Sequence, residues 1–202
     1  MHRISPGHDF FLFIGTHSPT TYRVRTDVVQ QLKARHVPTD TAPFLSTHDI
    51  VVSAFFSATN TTLGCVAVNL RSRLKLPATT AGNYAEAVAF SRTTYCNPAT
   101  IRRAFLDKDG PIVIATTDFP DLLQAVLGGK LTILTNWSSF YHHLKLAPSK
   151  MATGREPLAK EFFVPFDACA ILYQHMPNDL RIKVTMTETV THELFEPLAP
   201  TA

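Results

Sequence analysis

Between residues 180 and 187 the chain alternates Leu180, Ile182, Val184 and Met186 with Arg181, Lys183 and Thr185. Successive side chains of a strand point to opposite faces, so this pattern predicts a strand with one face in a core and the other turned outward. Thr21-Tyr22-Arg23-Val24-Arg25 alternates in the same way. Residues 9–14, 63–70, 130–137 and 162–173 are apolar runs of strand length, 84–90 reads as extended, and 112–115 is apolar and β-branched. Helical patterns fall between them. Thr26 is placed to cap a helix over 27–35 with Val28, Val29 and Leu32 inward. Ser46-Thr47-His48-Asp49 is a capping box with Asp in place of Glu or Gln, opening a helix through Ile50, Val51, Ala54 and Phe55. Pro98 suits the start of a helix over 99–106, Gly128-Gly129 the stop of one over 119–127, and 188–195 reads as a short closing helix. Strands and helices interleave with no repeat and no low-complexity linker. That order predicts a single α/β domain over 1–202, a mixed β-sheet packed with helices.

Composition narrows the function classes. At 202 residues with 45% apolar content the chain can bury one sizeable core. The net charge of +3 is spread along the chain with no polybasic run, which speaks against nucleic acid as a partner. No apolar stretch reaches the length of a membrane span, and Met1-His2-Arg3-Ile4-Ser5-Pro6-Gly7 carries no apolar signal core. Cys65, Cys96 and Cys169 are odd in number and far apart, so they read as reduced thiols of a cytoplasmic protein.

The common chemical motifs are missing: no phosphate-cradling Gly-rich loop, no His-Glu-x-x-His, no paired cysteines and no Gly-x-Ser-x-Gly elbow. None of the nine histidines has ligand spacing with a carboxylate, so no metal is expected. His36 and Asp40 fit His-x-x-x-Asp, a spacing in which an aspartate can orient a general base. Pro38 inside the motif and its place after a helix make it a surface loop. His142-His143 offers His143 as a candidate catalytic base, against the reading of a structural or exposed pair, because Ala147 and Pro148 stand where an orienting Asp-Gly would be. Cys65 and Cys169 lie in apolar strands and read as small hydrophobes, while Cys96 sits in a loop with no basic activator nearby in sequence.

The segment Asn69-Leu70-Arg71-Ser72-Arg73-Leu74, then Pro77, then Gly82-Asn83-Tyr84, resembles the BAHD family of CoA-dependent acyltransferases. The resemblance continues in order along the chain. It takes in the strand and Leu-Lys-Ala helix of 21–34, the Ser-Thr helix start at Ser46-Thr47 and the Thr-Ser-Trp-like Thr135-Asn136-Trp137. The closing region from Pro177 to Phe195 follows. It covers about residues 9 to 196 and implies a chloramphenicol acetyltransferase-like fold, of which this chain corresponds to the C-terminal half only. His142-His143-Leu144-Lys145-Leu146-Ala147 stands where the family carries Asp-Phe-Gly-Trp-Gly.

The resemblance implies acyl transfer from acyl-CoA, as co-substrate, to the hydroxyl or amine of a small-molecule acceptor. In such chemistry a histidine deprotonates the acceptor, which attacks the thioester carbonyl, and hydrogen-bond donors steady the oxyanion. Thr135 and Trp137 would face acceptor or thioester, with a core tryptophan as the other reading of Trp137. Arg71 and Arg73 read as structural arginines of the loop, with CoA phosphates as the alternative role. The family's His-x-x-x-Asp-Gly belongs to the other half, so the domain is expected to be incomplete as a catalyst and to work with an N-terminal-half chain. The alternative is a non-catalytic binding domain that forms a homodimer or other oligomer through the former interdomain face. A third reading is a small single-domain acetyltransferase resembling the chloramphenicol acetyltransferase trimer, with a degenerate His142-His143, against which the missing Asp-Gly speaks.

Overall fold

The computed structural model describes residues 19–77, 80, 84–106, 130–140, 145–147, 150–151, 156–157 and 166–199. The expected strands over 9–14 and 112–115 and the helix over 119–127 lie outside these residues, as does His142-His143.

The described strands and helices are, in chain order, β1 Thr20–Val24, α1 Thr26–Arg35, α2 Thr47–Ala58, β2 Leu63–Asn69, β3 Ala85–Ser91, α3 Arg92–Tyr95, α4 Pro98–Phe105, β4 Leu131–Asn136, β5 Lys145–Ala147, β6 Lys150–Met151, β7 Ala168–Met176, β8 Asp179–Met186 and β9 Phe195–Pro197. Seven strands form one mixed sheet in the order β3-β2-β4-β7-β8-β1-β9, and β5-β6 form a separate pair. β2, β4 and β7 run parallel at its centre, with Ala67 opposite Thr135 and Thr135 opposite Ile171. The remaining neighbours are antiparallel. The chain is thus an α/β fold, a mixed seven-stranded sheet packed with helices.

Sequence period sorts the two faces of that sheet. On one face Val66, Leu134, Ala168, Ala170, Leu172, Leu180, Ile182 and Val184 pack with Val28 and Val29 of α1, Ile50, Phe55 and Phe56 of α2 and Ile101 of α4. On the other, Leu63, Cys65 and Leu131 form a smaller cluster with Ile133 beside it. The alternation of 180–186 is therefore a register of burial, as its polarity predicts.

The capping box at α2 is complete: Asp49 N donates to Ser46 Oγ and Ser46 N donates to Asp49 Oδ2, at 3.3 and 2.7 Å. Behind the helix, the Thr59, Thr61 and Thr132 hydroxyls form a buried chain that ties the end of α2 to β4, at 2.7 and 2.6 Å. Tyr95 adds a hydrogen bond from its hydroxyl to Thr61 O, and burial pushes its phenol up to about 12.

Two expectations are corrected. Thr26 lies inside α1, whose cap position is Arg25 without a side-chain cap bond. Arg25 N is drawn instead to Leu194 O at 2.9 Å, which carries the strand geometry of β1 one residue further. The closing segment 188–195 is not helical. Phe195 pairs with Val24 in β9, and Val190 N donates to the buried Tyr22 hydroxyl at 3.1 Å. With Val190, Leu194 and Phe195 buried and their backbone groups met by β1 and Tyr22, helix formation there has no advantage.

Candidate functional site

Because β2, β4 and β7 are parallel, their C-terminal ends emerge at one edge of the sheet. At this edge of an open α/β sheet, loops rather than strand backbone meet the ligand. β2 leads there into the turn carrying Arg71 and Arg73, with Arg71 N accepted by Asn69 Oδ1 at 2.9 Å. The Arg71 guanidinium lies over the Tyr84 ring at 5.3 Å, a packing contact that anchors the turn. β4 ends in Thr135-Asn136-Trp137, followed by a single turn of 3-10 helix, Ser138–Phe140.

The structure brings Thr135 and Trp137 together. The Trp137 indole N–H donates to Thr135 Oγ1 at 3.1 Å, and Trp137 N donates to Leu172 O of β7 at 2.7 Å. Trp137 is 41% exposed, so it is not a core tryptophan. Since Thr135 Oγ1 accepts the indole N–H, its own hydroxyl proton is directed away from Trp137.

Asn136 points to the opposite, helix-covered face, as strand alternation requires. There it borders an open cleft of about 560 Å³ that sequence reasoning did not locate. The cleft is lined by Lys33 of α1, the cap residue Ser46 with Thr47 and His48 at the start of α2, Ser138 beyond the end of β4 and Gln174 of β7, among others. Neither Thr135 nor Trp137 lines it. Lys33 Nζ donates to Thr47 Oγ1 at 3.0 Å, and Asn136 Nδ2 meets His48 Nδ1 at 3.2 Å. An ammonium beside a helix N-terminus is a setting that suits phosphate or carboxylate groups. The sequence signal for it was the capping box, which fixes where the helix begins but not what lies before it.

His36 does not pair with Asp40: its Nε2 donates to Ala42 O at 2.7 Å, a loop-closing bond. Among the described residues no group of three or more His, Cys, Asp and Glu side chains comes together as metal ligands would, and no helix is long and apolar enough to cross a membrane. Cys65 and Cys169 are buried, and burial raises both thiols, Cys169 to about 12, while Cys96 is exposed. In the native protein a thiol reagent such as DTNB should therefore label Cys96 rapidly, and Cys96→Ser should remove that rapid phase. Rapid labelling that survives Cys96→Ser would contradict the burial of the other two.

No family model matches the chain, and no curated protein matches it. Solved structures similar to it include F. graminearum TRI101 complexed with coenzyme A and deoxynivalenol, at 16% identity and a TM-score of 0.48, over 84% of this chain and 45% of that one. Vinorine synthase is similar at 16% identity and a TM-score of 0.49, over 83% of this chain and 43% of that one. The epimerization domain from the third module of tyrocidine synthetase B follows at 14% identity and 0.46, over 93% and 46%. The chain spans about half the length of these structures.

Proposed function

We propose that the chain is an acyl-CoA-dependent acyltransferase-like domain of the BAHD type, the half of such an enzyme that holds co-substrate and oxyanion while the general base comes from elsewhere. The observation that carries this reading is the Thr135–Trp137 pair at the C-terminal edge of the parallel strands, in the residue order that resembles the family. The Thr135 hydroxyl, which accepts the indole N–H and keeps its own proton to donate, would serve as a donor for the oxyanion that forms when a hydroxyl or amine attacks a thioester. The cleft on the other side of β4 has the size of a small-molecule site. Lys33 and the start of α2 give its mouth the charge to hold CoA phosphates, with Arg71 and Arg73 on the neighbouring turn as further candidates. An extended thioester ligand would lie across the end of β4, phosphates toward Lys33 and carbonyl toward Thr135. His143 remains a candidate base on this chain; otherwise the base is supplied by an N-terminal-half partner.

Calorimetric titration of CoA onto the full chain tests this. Saturable binding is expected, weakened at least about tenfold, or 1.4 kcal/mol, by Lys33→Glu. No saturable heat sinks the reading. Release of thiol from acetyl-CoA by the chain alone, abolished by His143→Ala, would instead establish the single-domain acetyltransferase.

A second reading, a non-catalytic domain that pairs with another copy, draws on a different observation. Leu74, Trp137 and Met176, which follow or end β2, β4 and β7, are 54%, 41% and 41% exposed. Large apolar side chains at the ends of three adjacent strands suit a face covered by a partner. A dimer by light scattering that Leu74→Glu dissociates, with no CoA binding, favours that reading.

A further inference from the structure

Asn136 is held on three sides. Its Oδ1 accepts from Ser138 N at 2.9 Å and from Ser138 Oγ at 2.7 Å, and its Nδ2 faces His48 Nδ1 at 3.2 Å. The bond from the Ser138 backbone N–H, which can only donate, fixes which end of the amide carries the oxygen, so the amide is the donor toward His48. His48 Nδ1 is then an acceptor, and the imidazole proton resides on Nε2. The residues on either side of Asn136 are the two that face the other side of the sheet, Thr135 and Trp137.

We propose that His48 and Asn136 form a latch that positions Trp137 and Thr135 at the sheet edge, and that protonation of His48 opens it. In the imidazolium both ring nitrogens donate, so Nδ1–H would confront Nδ2–H. Asn136 can recover a bond to it only by turning its amide, which sets Nδ2–H against the Ser138 backbone N–H, breaks that bond and loosens the turn that follows Trp137. His48 and Asn136 are thus positioning residues: they touch the pair through the backbone of β4.

The groups around His48 hold it neutral. Burial is the largest influence and pushes its titration below the ordinary value of 6.5; Asp49 on its own helix pulls the other way, and Arg102 of α4 reinforces burial. The Asp49 carboxylate is itself engaged by Arg102 at 2.6 Å, and Lys33 of α1 is bonded to the neighbouring Thr47. The Phe105 ring of α4 lies 5.9 Å from the imidazole, and Ser138, Leu172 and Gln174 on the remaining sides of the cleft carry no charge.

Trp137 is the sole tryptophan, so its emission reads the latch directly. In the full chain without ligand, emission should move to longer wavelength as pH falls, with an inflection below 6.5. His48→Gln keeps a carbonyl acceptor for Asn136, so it should emit like the wild type at neutral pH and lose the inflection. His48→Phe should emit at neutral pH like the acid form of the wild type. Asn136→Asp, which places an anion against the imidazole, should move the inflection to higher pH. An inflection unchanged in His48→Gln, or wild-type emission from a folded His48→Phe, overturns the latch. The significance of the latch rests on Thr135 and Trp137 being ligand-facing, but CoA is absent from the measurement. Failure of CoA binding would therefore remove the proposed function and leave this result standing.

Discussion

Asp49→Ala should lower the unfolding free energy by about 3–5 kcal/mol, because it breaks a buried ion pair from one side. Asp49 is fully buried, and its Oδ2 accepts from Ser46 N at 2.7 Å, Arg102 Nε at 2.7 Å and Arg102 Nη2 at 2.6 Å. Truncation leaves the Arg102 guanidinium, whose side chain is only 12% exposed, without its anion, and removes half of the α2 capping box. Arg102→Met should cost a comparable amount by stranding the carboxylate, whereas Asp49→Ala with Arg102→Met should cost less than the two losses added. Urea denaturation of the four proteins measures this cycle. Additive losses, or a single loss below about 1 kcal/mol, would mean that the pair does not bind α2 to α4 as the geometry shows.

The second large effect is expected at Gly64. It lies on β2 between Phe90 of β3 and Thr132 of β4, beneath α2. A Cβ at this position would overlap the Phe56 ring, and Phe56 is wholly buried in the main core. The helix therefore approaches the sheet at a spot where only hydrogen fits. Gly64→Ala should destabilise by about 1–3 kcal/mol, as overpacking of a dense core does. In a Phe56→Leu background the same change should cost less, since the shorter side chain leaves room for the methyl group. Equal costs in both backgrounds would locate the strain in the strand backbone and not in the helix–sheet contact.

These two sites show what can be read from one sequence and what cannot. The capping box was legible because its two residues are three positions apart and act locally. Arg102, its third member, comes from a helix 53 positions away and carries no local sign of its role. The β8 alternation was legible for the same reason of locality, and the sheet order was not, since pairing of β2 with β4 depends on contacts between distant segments. The segment 188–195 failed as a helix because its backbone is satisfied by Tyr22 and β1, partners that no window around it contains. Thr135 and Trp137 were singled out by a resemblance in residue order, and strand alternation puts them on one face, where the structure joins them by a hydrogen bond. The cleft beside them was missed, because Lys33, His48 and Asn136 come from three separate elements and none is unusual alone.

Amide hydrogen exchange of the full chain with and without CoA tests the proposed site most directly. Protection is expected at 46–49, where α2 begins, and at 135–140, where β4 passes into the 3-10 turn, with β8 and β9 unchanged. Exchange that CoA leaves unaltered throughout the chain, or protection confined to segments away from these two, would contradict a CoA site at this edge of the sheet.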